Sequence, residues 1–174
     1  MSGTIPPWRR ILFLDVDGVL NTYADKDPEF MNPKHLDILN GLQEELGFDM
    51  VLSSTWRKIF PIDVFNKKFL GFGAKNPVVD YTPATWQLED EVYTTIYETS
   101  HVYQGYSKRG DEIQSWLDEH KLVPSQNCSI CIIDDNADMK HLMKYLVLTS
   151  MSKGLHNGHK KQIRKMFEKQ EKAL

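Results

Sequence analysis

The stretch Ile11-Leu12-Phe13-Leu14-Asp15-Val16-Asp17-Gly18-Val19-Leu20-Asn21 constrains this chain more than any other. An uninterrupted apolar run stops at two acids one residue apart, followed by a glycine. A run of that kind predicts a strand buried on both faces, as in a parallel sheet. Such a strand carries Asp15 and Asp17 to its carboxyl end, where open α/β sheets keep their ligand crevice. Two carboxylates held there repel each other unless a cation lies between them. A hard, oxygen-seeking ion such as Mg²⁺ suits that donor set. The competing reading is a turn, with Gly18 bending the chain and both acids capping the next helix.

The rest of the chain repeats the alternation of apolar runs and amphipathic helices that marks βαβ units around a parallel sheet. The first strand is predicted at Ile11–Asp15, followed by a helix over Pro33–Leu46. Asn32 suits its N-cap, Pro33 its first position and Gly47 its stop. Strands come next at Asp49–Ser53 and, more weakly and at an edge, Pro77–Asp80. A helix is expected over Asp111–His120, a strand over Ser129–Asp134, a helix over Asp138–Tyr145 and a last strand over Leu146–Thr149. The sum is one Rossmann-like, three-layer α/β domain over residues 1–174. Its mostly parallel five-stranded sheet occupies a core of about 10–150, and a basic helix of about 157–174 closes the chain.

Bulk properties narrow the setting. No apolar run approaches the roughly 18 residues of a membrane span, and Met1 to Arg10 lacks the apolar stretch of a signal peptide. These features lead us to expect a soluble, cytoplasmic protein that does not engage a membrane. Met151 to Leu174 holds seven Lys/Arg against two Glu; the total charge of −3 therefore leaves −8 on the first 150 residues. A basic tail of that kind can meet an anionic polymer such as nucleic acid, or simply be a solvated helix face. Ile163, Met166, Phe167 and Leu174 recur at helical spacing, so the tail also has a side to bury. Cys128 and Cys131 fall in a predicted strand, where a separation of three sends them to opposite faces. That favours core cysteines over a redox pair. His156 and His159 read as surface imidazoles at a helix start.

Three predicted strands end in polar residues at one edge of the sheet: Asp15 and Asp17, Ser53 and Ser54, and Asp134 and Asp135. Lys108-Arg109-Gly110 lies between the second and third of these groups, at the opening of a helix. In this order the stretches F-L-D-V-D-G-V-L-N, V-L-S-S-T-W-R, S-K-R-G-D-E-I and I-C-I-I-D-D-N-A-D resemble the four motifs of the haloacid dehalogenase (HAD) superfamily. They span Ile11 to about Thr149. The S-S-T-W-R and R-G-D-E-I-Q-S-W-L stretches look like the small phosphatase-like domains related to RNA-repair proteins.

The resemblance implies a HAD-type phosphatase. Asp15 would be the nucleophile that forms an aspartyl-phosphate, and Asp17 the acid and base that serves the leaving oxygen and then water. Ser53 and Ser54, with Lys108 or Arg109, would bind the phosphoryl oxygens, the register leaning to Arg109. Mg²⁺ would be held by Asp15, the main-chain carbonyl of Asp17, and Asp135. Asp134 or Asp138 would support that set from behind or replace a ligand. Asn21 and Arg57 are further substrate contacts to expect, Arg57 facing a second phosphate.

The short loop Thr22–Asn32 leaves no room for a large cap. The segment Lys58–Ser107 is rich in aromatics: Phe60, Phe65, Phe69, Phe72, Tyr81, Trp86, Tyr93, Tyr97, Tyr103 and Tyr106. They either cover the sheet or offer a base a stacking surface. The expected substrate is therefore a phosphorylated small molecule, a nucleotide or a nucleic-acid end. A phospho-ligand or nucleic-acid-binding module without catalysis is the alternative on the same fold. A phosphoacceptor signalling domain is disfavoured, because its lone acceptor Asp should end the third strand, whereas the acids here end the first and fourth.

Overall fold

The architecture was determined as a computed structural model, which describes residues 9–84 and 109–173. Its centre is β1 (Arg9–Leu14), paired in parallel with β2 (Asp49–Leu52) on one side and β4 (Cys128–Asp134) on the other. β3 (Asp80–Tyr81) extends the sheet beyond β2, and β5 (Leu146–Leu148) extends it beyond β4. The order is β3-β2-β1-β4-β5, and every pairing is parallel. Where the sequence suggested a mostly parallel sheet, the described strands make a wholly parallel one.

Strand periodicity divides the core into two layers. Leu12, Leu14, Met50, Leu52, Cys131 and Ile133 face one side. There they meet Leu36, Leu39 and Leu42 of α1 (Pro33–Leu46), Phe65 and Phe69, and Ile163 and Phe167. Ile11, Phe13, Val51, Cys128, Ile130 and Ile132 face the other, against Ile113, Trp116 and Leu117. The two cysteines do lie on opposite faces, and burial pushes the Cys128 thiol up to about 11 and that of Cys131 higher still. Neither is poised as a thiolate.

α1 has the bounds and caps its sequence dictates: the Asn32 side chain accepts from Lys34 N, and Gly47 adopts a left-handed conformation. The aromatic segment contains two helices that the sequence reading did not resolve, α2 (Trp56–Ile59) and α3 (Ile62–Phe72). Phe65 and Phe69 are fully buried, while Phe60, Phe72 and Tyr81 pack against the same core. These five cover the sheet; Trp86, Tyr93, Tyr97, Tyr103 and Tyr106 lie outside the described residues. α4 (Arg109–Glu119) is already helical at Arg109, two residues before the expected start.

Between β4 and β5 the predicted α-helix is instead a 3₁₀ helix over Lys140–Tyr145, entered through Lys140 at a φ of 52°. A connection this short favours the tighter winding. After a 3₁₀ turn at Asn157–His159, α5 (Lys160–Lys172) runs along β4. His159 is buried rather than at the surface, its Nδ1 accepting from His156 N. The Gln170 amide accepts from Ile130 N at 2.9 Å and donates to Ile130 O at 2.6 Å, satisfying main-chain groups of β4 from the side of α5. No helix among the described residues is long and apolar enough to cross a membrane.

Candidate active site

The carboxyl ends of the three central strands converge on one acidic centre. Asp15 follows β1 directly and its N–H donates to Ile133 O at 3.0 Å, so the sheet ladder continues through it. Asp134 ends β4, and its carbonyl accepts from Thr149 N at 2.9 Å. Ligand oxygens of Asp15, Asp134 and Asp135 all lie within 4.8 Å of one another. Burial is the main force pushing Asp15 up to about 6, opposed chiefly by the Arg109 guanidinium. Burial likewise pushes Asp134 well above the carboxylate range, with the Asp15 charge adding to it, and raises Asp135.

Arg109, at the first turn of α4, is the counter-charge. Its Nη1 lies 3.2 Å from Asp134 Oδ2 and 3.5 Å from Asp15 Oδ1, and it also donates to the Ser53 carbonyl. The following Gly110 permits this approach, since a Cβ there would strike the main chain of Met139. Lys108, the other cation considered for this role, lies outside the described residues.

Asp17 occupies a different environment. Its Oδ1 accepts from Asn21 Nδ2 at 2.9 Å and its Oδ2 from Trp56 Nε1 at 3.1 Å. Asn21 Oδ1 accepts in turn from Gly18 N at 3.1 Å. The Asn21 amide thus positions Asp17, and Asn21 also lines the groove that opens beside it. The role of Trp56 was missed altogether. Its position in S-S-T-W-R, just past a strand end, was the available signal.

Ser54 Oγ accepts from Trp56 N and its hydroxyl helps lower the Asp15 pKa, whereas Ser53 Oγ is buried without a partner among the described residues. A sealed hydroxyl of this kind is costly unless a ligand completes it. Arg57 was expected to face a second phosphate but turns inward. Its Nη2 lies 2.5 Å from Glu112 Oε2 and its Nη1 donates to the Ser54 carbonyl at 2.6 Å. Burial lowers its pKa, and a guanidinium sealed from water needs that carboxylate. Asp138 stays outside the acidic cluster, with Oδ2 buried and without a partner among the described residues.

The donor set fits a hard divalent cation. Among the described residues, three carboxylates meet and Arg109 pairs with two of them. Gly18, at a φ of 72°, leaves out a Cβ that would sit 2.5 Å from Asp135 Oδ2. Asp134 is engaged at both oxygens, by Asn136 N at 2.9 Å and by Arg109.

A parallel β3-β2-β1-β4-β5 sheet with acids at the ends of β1 and β4 defines a HAD-like α/β domain of the hydrolase superfamily. Within it, the chain belongs to the family described as the HAD domain in Swiss Army Knife RNA repair proteins, which it matches over residues 11–159. Neither the curated proteins nor the solved structures yield a match.

Proposed function

We propose that the chain is a Mg²⁺-dependent phosphatase that hydrolyses a phosphate monoester through an aspartyl-phosphate on Asp15. A nucleotide or a nucleic-acid end is the substrate class. The observation that carries this reading is the separate provision for two acids one residue apart. Asp15 sits in the charged cluster beside Arg109, and Asp17 is held apart by Trp56 and Asn21. Carboxylates kept in unlike environments can take unlike roles.

In this reading an Asp15 oxygen attacks phosphorus and the bond to the leaving oxygen breaks, Asp17 giving that oxygen its proton. Water then attacks the phosphorus of the aspartyl-phosphate and yields a proton to Asp17, the Asp15 oxygen–phosphorus bond breaks, and phosphate departs. Arg109 balances charge on the phosphoryl oxygens. The Ser53 hydroxyl, buried without a partner among the described residues, can donate to one of them. A metal held by Asp15, Asp135 and the Asp17 carbonyl would supply the positive charge that lets a carboxylate approach a phosphate.

The row Lys161, Lys165, Lys169 and Lys172, exposed along α5, supports contact with a nucleic-acid backbone. Its test is charge reversal of those four lysines, because deleting the helix would strip Ile163 and Phe167 from the core. Unchanged oligonucleotide anisotropy would remove that role. The two buried, unpaired cysteines suit a reducing cytoplasm.

The deciding experiment is hydrolysis of an aryl phosphate with Mg²⁺ or EDTA, beside Asp15→Asn. Metal-dependent turnover lost in Asp15→Asn is expected. Undiminished turnover in the variant would overturn the role of Asp15, and no turnover of any monoester would overturn the phosphatase.

A further inference from the structure

A groove of about 240 Å³ opens beside Asp17, formed by the loop after β1 and walled by Tyr23, Asp25, Lys26, Asp27 and Met151. We propose that it is the leaving-group subsite and that it takes a nucleoside bearing no second phosphate. This rests on the phosphatase reading and narrows its substrate class, from a nucleotide or a nucleic-acid end to a nucleoside monophosphate.

Position is the first argument. Asp17 is the acid that must reach the leaving oxygen, and it lines the groove, whereas Asp15, Asp134 and Asp135 do not. The group bonded to that oxygen therefore enters this space.

Chemistry is the second. Tyr23 is 79 % exposed, the most exposed large hydrophobic side chain among the described residues. Its backbone is nonetheless tied down, Tyr23 N donating to Met151 O at 2.8 Å. The loop is also pre-set: Asp25 Oδ2 accepts from Thr22 N at 2.8 Å, and its Oδ1 accepts from Asn32 Nδ2 at 3.1 Å. An open aromatic face on a fixed loop, with a polarisable thioether in the same groove, is suited to stack a flat ring. The volume lies below the roughly 300–1,000 Å³ of common ligand pockets, which suits one small planar group and its sugar.

Charge is the third. Three acids against Lys26 give the groove a negative balance. A second phosphate on the leaving group would meet like charge there, so diphosphates and bisphosphates are disfavoured.

The test is steady-state kcat/KM with Mg²⁺ on adenosine 5′-monophosphate, adenosine diphosphate and glycerol 2-phosphate, for wild type, Tyr23→Phe and Tyr23→Ala. The monophosphate is expected to lead glycerol 2-phosphate by about tenfold or more. That ratio should survive in Tyr23→Phe and collapse toward unity in Tyr23→Ala. The diphosphate should trail the monophosphate. A ratio unmoved by Tyr23→Ala, or a diphosphate turned over as well as the monophosphate, overturns the subsite while leaving the phosphatase standing. No turnover of any of the three while an aryl phosphate is still hydrolysed overturns the subsite alone; no turnover of the aryl phosphate either sinks the phosphatase reading and this inference with it.

Discussion

Arg57 Nη2 lies 2.5 Å from Oε2 of Glu112, and their side chains are only 3 % and 2 % exposed. Glu112 stands one helical turn after Arg109, so one face of α4 delivers both a carboxylate to Arg57 and a guanidinium to the acidic centre. The two arginines then hold successive carbonyls, Arg109 that of Ser53 and Arg57 that of Ser54. This network fixes the end of β2 against α4. Removing one charge from a buried pair leaves the other uncompensated, at a cost of about 3–5 kcal/mol. Glu112→Gln should lower stability by that amount in urea unfolding. A loss under about 1 kcal/mol would show that the pair behaves like a solvent-screened one.

Trp56 offers a cleaner probe of Asp17. Trp56→Phe keeps a ring in the core but removes the N–H that meets Asp17 Oδ2. Hydrogen bonds to charged groups contribute about 1.5–3 kcal/mol, or roughly ten- to a hundredfold in rate where the geometry matters in the transition state. Asp17 is proposed to protonate the leaving oxygen, so the loss should depend on how badly that oxygen needs a proton. An alkyl phosphate should slow by about tenfold or more, and a phosphate with a good aryl leaving group by much less. Equal slowing of both would argue that Trp56 supports the fold instead.

The acidic centre makes a pH-dependent prediction whose sign is set by Asp15. Its carboxyl is held up at about 6, above its ordinary 3.8. Between those values the folded chain keeps a proton that the unfolded chain has released. Metal-free stability therefore falls as pH rises through that window, on the order of 3 kcal/mol for Asp15 alone. Burial and the Asp15 charge raise Asp134 as well, which pushes in the same direction. Above the window Asp15 is a carboxylate whose charge a bound cation can neutralise; below it, the cation must first displace the Asp15 proton. Added Mg²⁺ should thus raise Tm more at about pH 7.5 than at about pH 5. A shift equal or larger at the acidic pH would exclude metal binding at these carboxylates.

The parts of the fold legible in the sequence are those fixed by local chemistry. Ile11–Leu14 and Cys128–Ile133 could hardly be other than buried strands, and each ends in acid, so two arms of the site could be read directly from the residues. Asn32, Pro33 and Gly47 bracket α1 because caps and turns are local too. Arg57 reads as a substrate contact because its residue type permits it. Which partner a guanidinium or an amide finds is a tertiary fact, and Glu112 lies 55 residues from Arg57. Trp56 escaped for the same reason, as its indole N–H meets Asp17 across 39 residues. Phe65 and Phe69, spaced four apart before Gly73, did carry the signal of α3, but the aromatic richness of the segment masked its period.

Gly18 supplies the sharpest structural test of the metal site. At its φ of 72° an added Cβ would lie 2.5 Å from Asp135 Oδ2 and 2.6 Å from its Cγ. Gly18→Ala therefore combines a strained backbone with displacement of a carboxylate proposed to hold the cation, at about 1–3 kcal/mol for the strain. The Mg²⁺-induced rise in Tm should shrink or vanish in this variant. Gly41 provides the internal control. It sits within α1, where an added methyl would meet nothing within 4 Å, so Gly41→Ala should gain about 0.5–1 kcal/mol and keep the full metal response. Were Gly18→Ala to respond to Mg²⁺ as strongly as Gly41→Ala, Asp135 would have to be withdrawn as a ligand.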